Sequence, residues 1–143
     1  MIVRTIAASC AAFVIAAVPM SHQPAHAFIA LAVGVSGDPD DGIAIGTGYN
    51  YKTEAQARDR ALRECRTFKT APKANRHCRL VGVLGNGCLA AVFDPKSDST
   101  GMGWAIAEDR ASAERQAMDL CKSSAPSGRA QYCKLDLSRC EGD

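Results

Sequence analysis

The chain has 143 residues, of which 47% are hydrophobic and 6% aromatic, and its 17 basic and 15 acidic residues give a net charge of +2. This length is enough for one domain with its own hydrophobic core. The near balance of positive and negative charge excludes any assignment of a partner from net charge alone.

The first 27 residues have the features of a secretory signal peptide. Arg4 supplies the positive start, residues 6–18 form an apolar run, and Ala25-His26-Ala27 offers an A-x-A cleavage site. The run is shorter than the stretch of about 20 residues that crosses a membrane, and no second long apolar stretch follows. We predict cleavage after Ala27 and a secreted or periplasmic mature chain without a membrane span, residues 28–143. An uncleaved N-terminal anchor is the alternative.

The first half of the mature chain predicts the order strand, turn, strand, helix, strand. Residues 28–35 and 43–51 are apolar segments of strand type, separated by a turn rich in Asp and Gly. Thr53 can cap the following helix through its side-chain oxygen, and Gln56 completes a capping-box pattern. The helix is predicted to end just after Cys65, and the third strand to begin at Cys78.

The second half repeats this order. Strands are predicted at 88–93 and 102–106, Asp109 caps a helix that ends just after Cys121, and a last strand begins at Cys133. Aligning Cys65 with Cys121 places alanines on one face of each helix, where they allow close packing on a sheet. We predict an α+β domain of two pseudo-repeats, residues 28–86 and 87–143. Their strands are expected to form one antiparallel or mixed sheet with both helices packed on it.

Six cysteines remain after cleavage, and an even number in an exported chain indicates a disulfide framework. Zinc is the rival interpretation, but no C-x-x-C pair occurs and His77 is the single histidine of the mature chain. The alignment of the two halves selects one connectivity. It pairs Cys65 with Cys78, Cys121 with Cys133, and Cys88 with Cys140.

The layout of these motifs is similar to that of a known family. A G-x-G-aromatic segment at residues 46–49, an alanine-spaced helix closed by Cys65, and an N-x-C-x-A segment at residues 86–90 occur in order, and a second such helix closes at Cys121. Over nearly the whole mature chain this layout resembles the bacterial domain of unknown function 4189. The resemblance implies a small exported protein with disulfides and an internal duplication. It implies no shared catalytic activity.

Candidates for catalysis are few. His77 is the sole histidine after cleavage and sits beside a cysteine predicted to form a disulfide, so neither a Ser–His–Asp nor a Cys–His arrangement is indicated. We assign no catalytic residue, no metal ligand and no cofactor. Aspartates cluster in the two predicted turns, where they favour turn formation: Asp38, Asp40, Asp41, Asp94 and Asp98. The alternative is an extracytoplasmic enzyme or cation-binding protein that uses these acidic turns.

The glycine pairs at 46/48 and 101/103 lack the remaining residues of a phosphate-binding loop, so we interpret them as points of close backbone approach or a bulge. Tyr49, Tyr51 and Trp104 are expected to pack at the sheet edge or between the two halves, with ligand stacking as the alternative.

Positive charge is concentrated between residues 58 and 79, a stretch that contains eight basic residues and only two acidic ones. The candidate surface for an anionic partner comprises Arg58, Arg63, Arg66, Lys69, Lys73 and Arg76. Such a partner would be an anionic envelope component or a host protein, and a solvated helix face is the alternative. Nucleic acid is not expected, because Phe68 is the single aromatic residue of the run. These features favour a non-catalytic binding or effector module.

Overall fold

A computed structural model describes residues 26–143. Residues 1–25, which hold most of the predicted signal peptide, lie outside the described residues. The helices and strands are β1 (Phe28–Val35), β2 (Ile43–Tyr51), α1 (Glu54–Arg66), β3 (Arg79–Gly85), β4 (Cys88–Phe93), β5 (Met102–Ala107), α2 (Arg110–Ser124) and β6 (Lys134–Cys140). Each half therefore has the predicted order of elements. The duplication of one unit stays a prediction from the sequence.

The helix caps are the predicted ones. Thr53 Oγ1 accepts a hydrogen bond from the Gln56 backbone N–H at 3.3 Å, and Asp109 Oδ1 accepts one from Ser112 N–H at 2.8 Å. Each bond satisfies a backbone donor that the first turn of a helix leaves unpaired. Helix α1 ends one residue after Cys65, as predicted, whereas α2 continues to Ser124.

The strands form two sheets, so the prediction of one sheet is corrected. The first sheet has the order β2-β1-β3 and the second the order β5-β4-β6, and all pairings within them are antiparallel. The central strands β1 and β4 are buried along almost their whole length. A strand buried on both faces needs apolar cover on both, and a single sheet with both helices on the same face would leave its other face uncovered.

The cover comes from a helix on one side and the other sheet on the opposite side. Ala30 and Ala32 of β1 pack in a cluster with residues of α1. The alternate residues of β1, including Leu31, pack against Leu89 of β4. Trp104 of β5 joins this inter-sheet cluster, as expected for a residue between the halves. The layers therefore run α1, first sheet, second sheet, α2.

A glycine under each helix lets that helix lie directly on its sheet. A Cβ added at Gly46 would lie 2.0 Å from the Ala61 carbonyl oxygen, and one added at Gly103 would lie 2.0 Å from the Ala117 carbonyl oxygen. The prediction of close backbone approach at these glycines is confirmed.

Disulfides join Cys65 to Cys78, Cys121 to Cys133 and Cys88 to Cys140. This is the connectivity expected from the alignment of the halves. The first two span 13 and 12 residues between a helix and the next strand, and the third spans 52 residues between β4 and β6. Loop entropy assigns about 3 kcal/mol to each short bridge and about 4 kcal/mol to the long one. Within residues 26–143, neither helix has the length and apolarity needed to cross a membrane.

Candidate functional site

The predicted basic surface is divided in the structure. Arg58 pairs with Glu54 at 3.3 Å, one turn earlier on α1, and it lies about 140° around the helix from Arg63. Lys73 pairs with Asp41 of the loop between β1 and β2 at 2.7 Å. Arg58 and Lys73 are thus each paired with a carboxylate of the fold.

Arg63 and Lys69 lie together. They line a shallow depression at the C-terminal end of α1, with Arg60, Glu64, Thr67, Ile45 and Phe68 as its other lining residues. We call it the basic depression. Arg66 and Arg76 are exposed but do not line it. The structure therefore brings two of the six predicted basic residues to one concave surface.

The acidic loops are used mostly for local structure. Asp38 Oδ1 accepts from the Asp40 backbone N–H at 3.0 Å and caps a short 3-10 turn. Hydrogen bonds from Lys73 to Asp41 and from Lys96 to Asp98 are the main causes that lower the pKa of these two carboxyls. Among the described residues, no group of three or more His, Cys, Asp or Glu side chains is placed to hold a metal ion.

Asp94 is the buried carboxylate of the loop between β4 and β5, with no exposed side-chain surface. Arg129 Nε donates to Asp94 Oδ2 at 2.5 Å, and Arg129 Nη2 donates to Oδ1 at 2.6 Å. Ser99 Oγ donates to Oδ2 at 2.6 Å, and the Lys96 backbone N–H donates to Oδ1 at 3.3 Å. The bonds from Arg129, more than those from Ser99 and Lys96, hold the pKa of Asp94 well below its ordinary value. This network fixes the loop against the segment that follows α2.

A cleft of about 390 Å³ lies between residues 37–42 of the first half and residues 94–101 of the second. Its apolar lining consists of Val35, Ile43, Ile45, Phe68, Phe93 and Met102. Its polar lining side chains are Asp38, Asp94, Lys96, Ser97, Ser99, Thr100 and Asp136. Small-molecule sites share this design, in which apolar walls carry a few polar groups.

His77 does not line this cleft. It is exposed, and it lines an adjoining depression with Arg79, Val81 and Trp104, which shares Val35 and Gly37 with the cleft. The structure thus places His77, the single histidine of residues 28–143, in a different depression from the buried Asp94 carboxylate.

Sequence reasoning missed the cleft because no local motif encodes it. Its apolar side chains come from β1, β2, β4, β5 and the segment after α1, and they converge only when the two sheets stack. One signal was available. Val35 is an apolar residue at the end of β1, and Phe93 and Met102 are apolar residues at the two strand ends that flank the loop between β4 and β5. In the structure Val35 is 39% exposed.

The fold and the cleft define a class of protein, a small α+β domain with two stacked three-stranded sheets, a helix on each outer face and three disulfides. A family model described as a domain of unknown function (DUF4189) matches residues 28–140, and the chain belongs to this family. No curated protein and no solved structure matches the chain.

Proposed function

We propose that the protein is an exported, disulfide-stabilised binding module that holds the apolar part of a ligand in the cleft and catalyses no reaction. The observation that carries the proposal is the cleft itself. Its volume of about 390 Å³ lies within the range of about 300–1,000 Å³ that is usual for ligand sites. Its apolar lining would gain free energy from removal of an apolar group from water.

Export is supported by two independent features. The first 27 residues have the composition of a signal peptide, and three disulfides form and persist in oxidising compartments outside the cytosol. Together they favour a secreted or periplasmic protein.

The loop between β4 and β5, which holds Asp94 and Ser99, favours a preformed site. Arg129 and Ser99 hold Asp94 within the loop, so this wall of the cleft is ordered before a ligand arrives. A preformed wall lowers the entropy lost on binding. The same bonds occupy both oxygens of Asp94, which leaves this carboxylate poorly suited to act as a general base.

Binding of the neutral fluorescent probe N-phenyl-1-naphthylamine to the purified, oxidised protein tests this proposal. Val35→Glu places a carboxylate at the apolar wall, and we expect it to weaken binding about tenfold or more. Val81→Glu is the matched control, because Val81 is 42% exposed on β3, close to the 39% of Val35, and does not line the cleft. Absence of probe binding, or equal loss in both variants, would contradict the proposal.

A further inference from the structure

We infer that the ligand is a single-chain fatty acid, with its acyl chain in the cleft and its carboxylate at Arg63 and Lys69. The inference rests on the proposed function, because it assumes that the cleft binds an apolar group. It adds the chemistry of the head group and the direction in which the ligand lies.

The cleft and the basic depression are neighbours that share two apolar side chains. Ile45 and Phe68 line both of them, and they also line a smaller depression between β2 and β6. An acyl chain lying in the cleft can therefore pass over Ile45 and Phe68 and bring its head group to the end of α1 without leaving an apolar surface.

The basic depression carries an excess of positive charge. Glu64, its one carboxylate, is paired with Arg60 and also accepts hydrogen bonds from the backbone N–H and hydroxyl of Thr47. The ion pairs found within residues 26–143 include neither Arg63 nor Lys69. Two cations are therefore left to meet an anionic head group, and a guanidinium matches the planar fork of a carboxylate.

Charges at the other end of the cleft set the direction. Asp38, in the loop between β1 and β2, is exposed and lines the cleft but not the basic depression. Asp136 does not mark this end, because it also lines the smaller depression with Ile45 and Phe68. Lys96, the other exposed charged residue of the cleft, is paired with Asp98 at 2.7 Å. A carboxylate head group is repelled at the loop end and attracted at the helix end, so electrostatics gives the ligand one orientation.

The test is displacement of N-phenyl-1-naphthylamine by three amphiphiles of equal chain length: laurate, dodecanol and dodecyltrimethylammonium. Laurate and the ammonium compound are used below their micelle concentrations, and dodecanol below its solubility limit, at about pH 8, where the carboxylate is ionised. We expect laurate to bind about tenfold more tightly than the ammonium compound, with dodecanol between them. Each methylene added to the fatty acid should tighten binding by up to about fourfold.

Charge reversal identifies the cations. Arg63→Glu with Lys69→Glu should weaken laurate binding at least about tenfold and favour the ammonium compound. The control is Arg66→Glu with Arg76→Glu, which changes net charge equally at two exposed residues that do not line the basic depression. It should leave laurate affinity unchanged within about threefold. The conservative pair Arg63→Lys with Lys69→Arg should retain most of the affinity, which separates loss of charge from loss of folding.

The outcomes separate the inference from the proposed function. If the probe binds and all three amphiphiles displace it with equal affinity, the cleft binds apolar groups without preference for a carboxylate. The fatty-acid inference is then overturned. The inference is also overturned if the control pair weakens laurate binding as much as the Arg63 and Lys69 pair. If neither the probe nor any amphiphile binds, the proposed function fails together with it.

Discussion

Lys73 and Arg129 each lie eight residues after the cysteine near the end of a helix, and each binds an aspartate from the hairpin loop of its own half. Lys73 Nζ lies 2.7 Å from Asp41 Oδ1, and the Lys73 side chain is 71% exposed. Arg129 makes two hydrogen bonds to Asp94, whose side chain is fully buried. The position is shared, but Asp41 keeps 11% of its side-chain surface exposed, whereas Asp94 keeps none.

This difference predicts unequal effects on stability. Arg129→Met should lower the urea concentration at the midpoint of unfolding, because it leaves a buried carboxylate without its counter-charge. Lys73→Met should lower the midpoint much less, because the Lys73 ammonium is exposed to solvent and salt, which screen the pair. Equal midpoints for the two variants would show that Asp94 is not stabilised by Arg129.

The same carboxylate predicts a dependence on pH. Asp94 has a lower pKa in the folded protein than its ordinary value of 3.8, so its contribution to stability is complete above that value and is lost as the pH falls towards the folded pKa. The difference in unfolding midpoint between the unmodified protein and Asp94→Asn should be constant from about pH 7 to about pH 5 and narrow below about pH 4. A difference that stays constant in acid would contradict the assignment.

Gly103 tests how closely α2 lies on its sheet. Gly103→Ala places a Cβ 2.0 Å from the Ala117 carbonyl oxygen and 2.5 Å from the Cys121 nitrogen, so the helix must shift. We expect a loss of about 1–3 kcal/mol in the free energy of unfolding, measured in urea. Gly82→Ala is the control, because its Cβ would lie 3.5 Å from its nearest neighbour, an ordinary contact. A Gly103 variant as stable as the Gly82 variant would exclude the close approach.

Leu89 tests the stacking of the two sheets. It is fully buried in the inter-sheet cluster, whereas Leu135 of the same sheet is 46% exposed. Leu89→Ala should cost about 2–5 kcal/mol through lost burial and a residual cavity, and Leu135→Ala about 0.5 kcal/mol or less. Trp104 belongs to the same cluster, so its fluorescence reports the transition. Comparable losses in the two variants would argue against a buried interface between the sheets.

Local signals in the sequence were enough for the elements and the disulfides. Hydroxyl and carboxylate side chains cap both helices, and strands β1, β2 and β4 have the predicted bounds. The spacing of Cys65 and Cys121 within the two halves was enough to choose among the connectivities, because equivalent cysteines close equivalent loops.

The number of sheets and the existence of the cleft could not be predicted from local sequence signals. A run such as residues 28–35 indicates a strand buried on both faces, but it does not say whether the second face is covered by a helix or by another sheet. The cleft depends on that choice, because Ile45 of the first sheet and Met102 of the second meet only after stacking. The Asp94–Arg129 pair joins residues 35 positions apart, and the spacing that Arg129 shares with Lys73 does not identify its partner.

Mapping of the bound probe by amide NMR tests the central claim most directly. The oxidised protein is titrated with N-phenyl-1-naphthylamine, and the shifts of assigned backbone amides are followed. We predict that the shifts concentrate at residues that line the cleft but not the His77 depression, among them Ile43, Ile45, Phe68 and Met102, while α2 stays unchanged. Shifts concentrated around Val81 and His77, which line the adjoining depression but not the cleft, would contradict the assignment of the cleft as the binding site. Shifts spread evenly over the surface would contradict it as well.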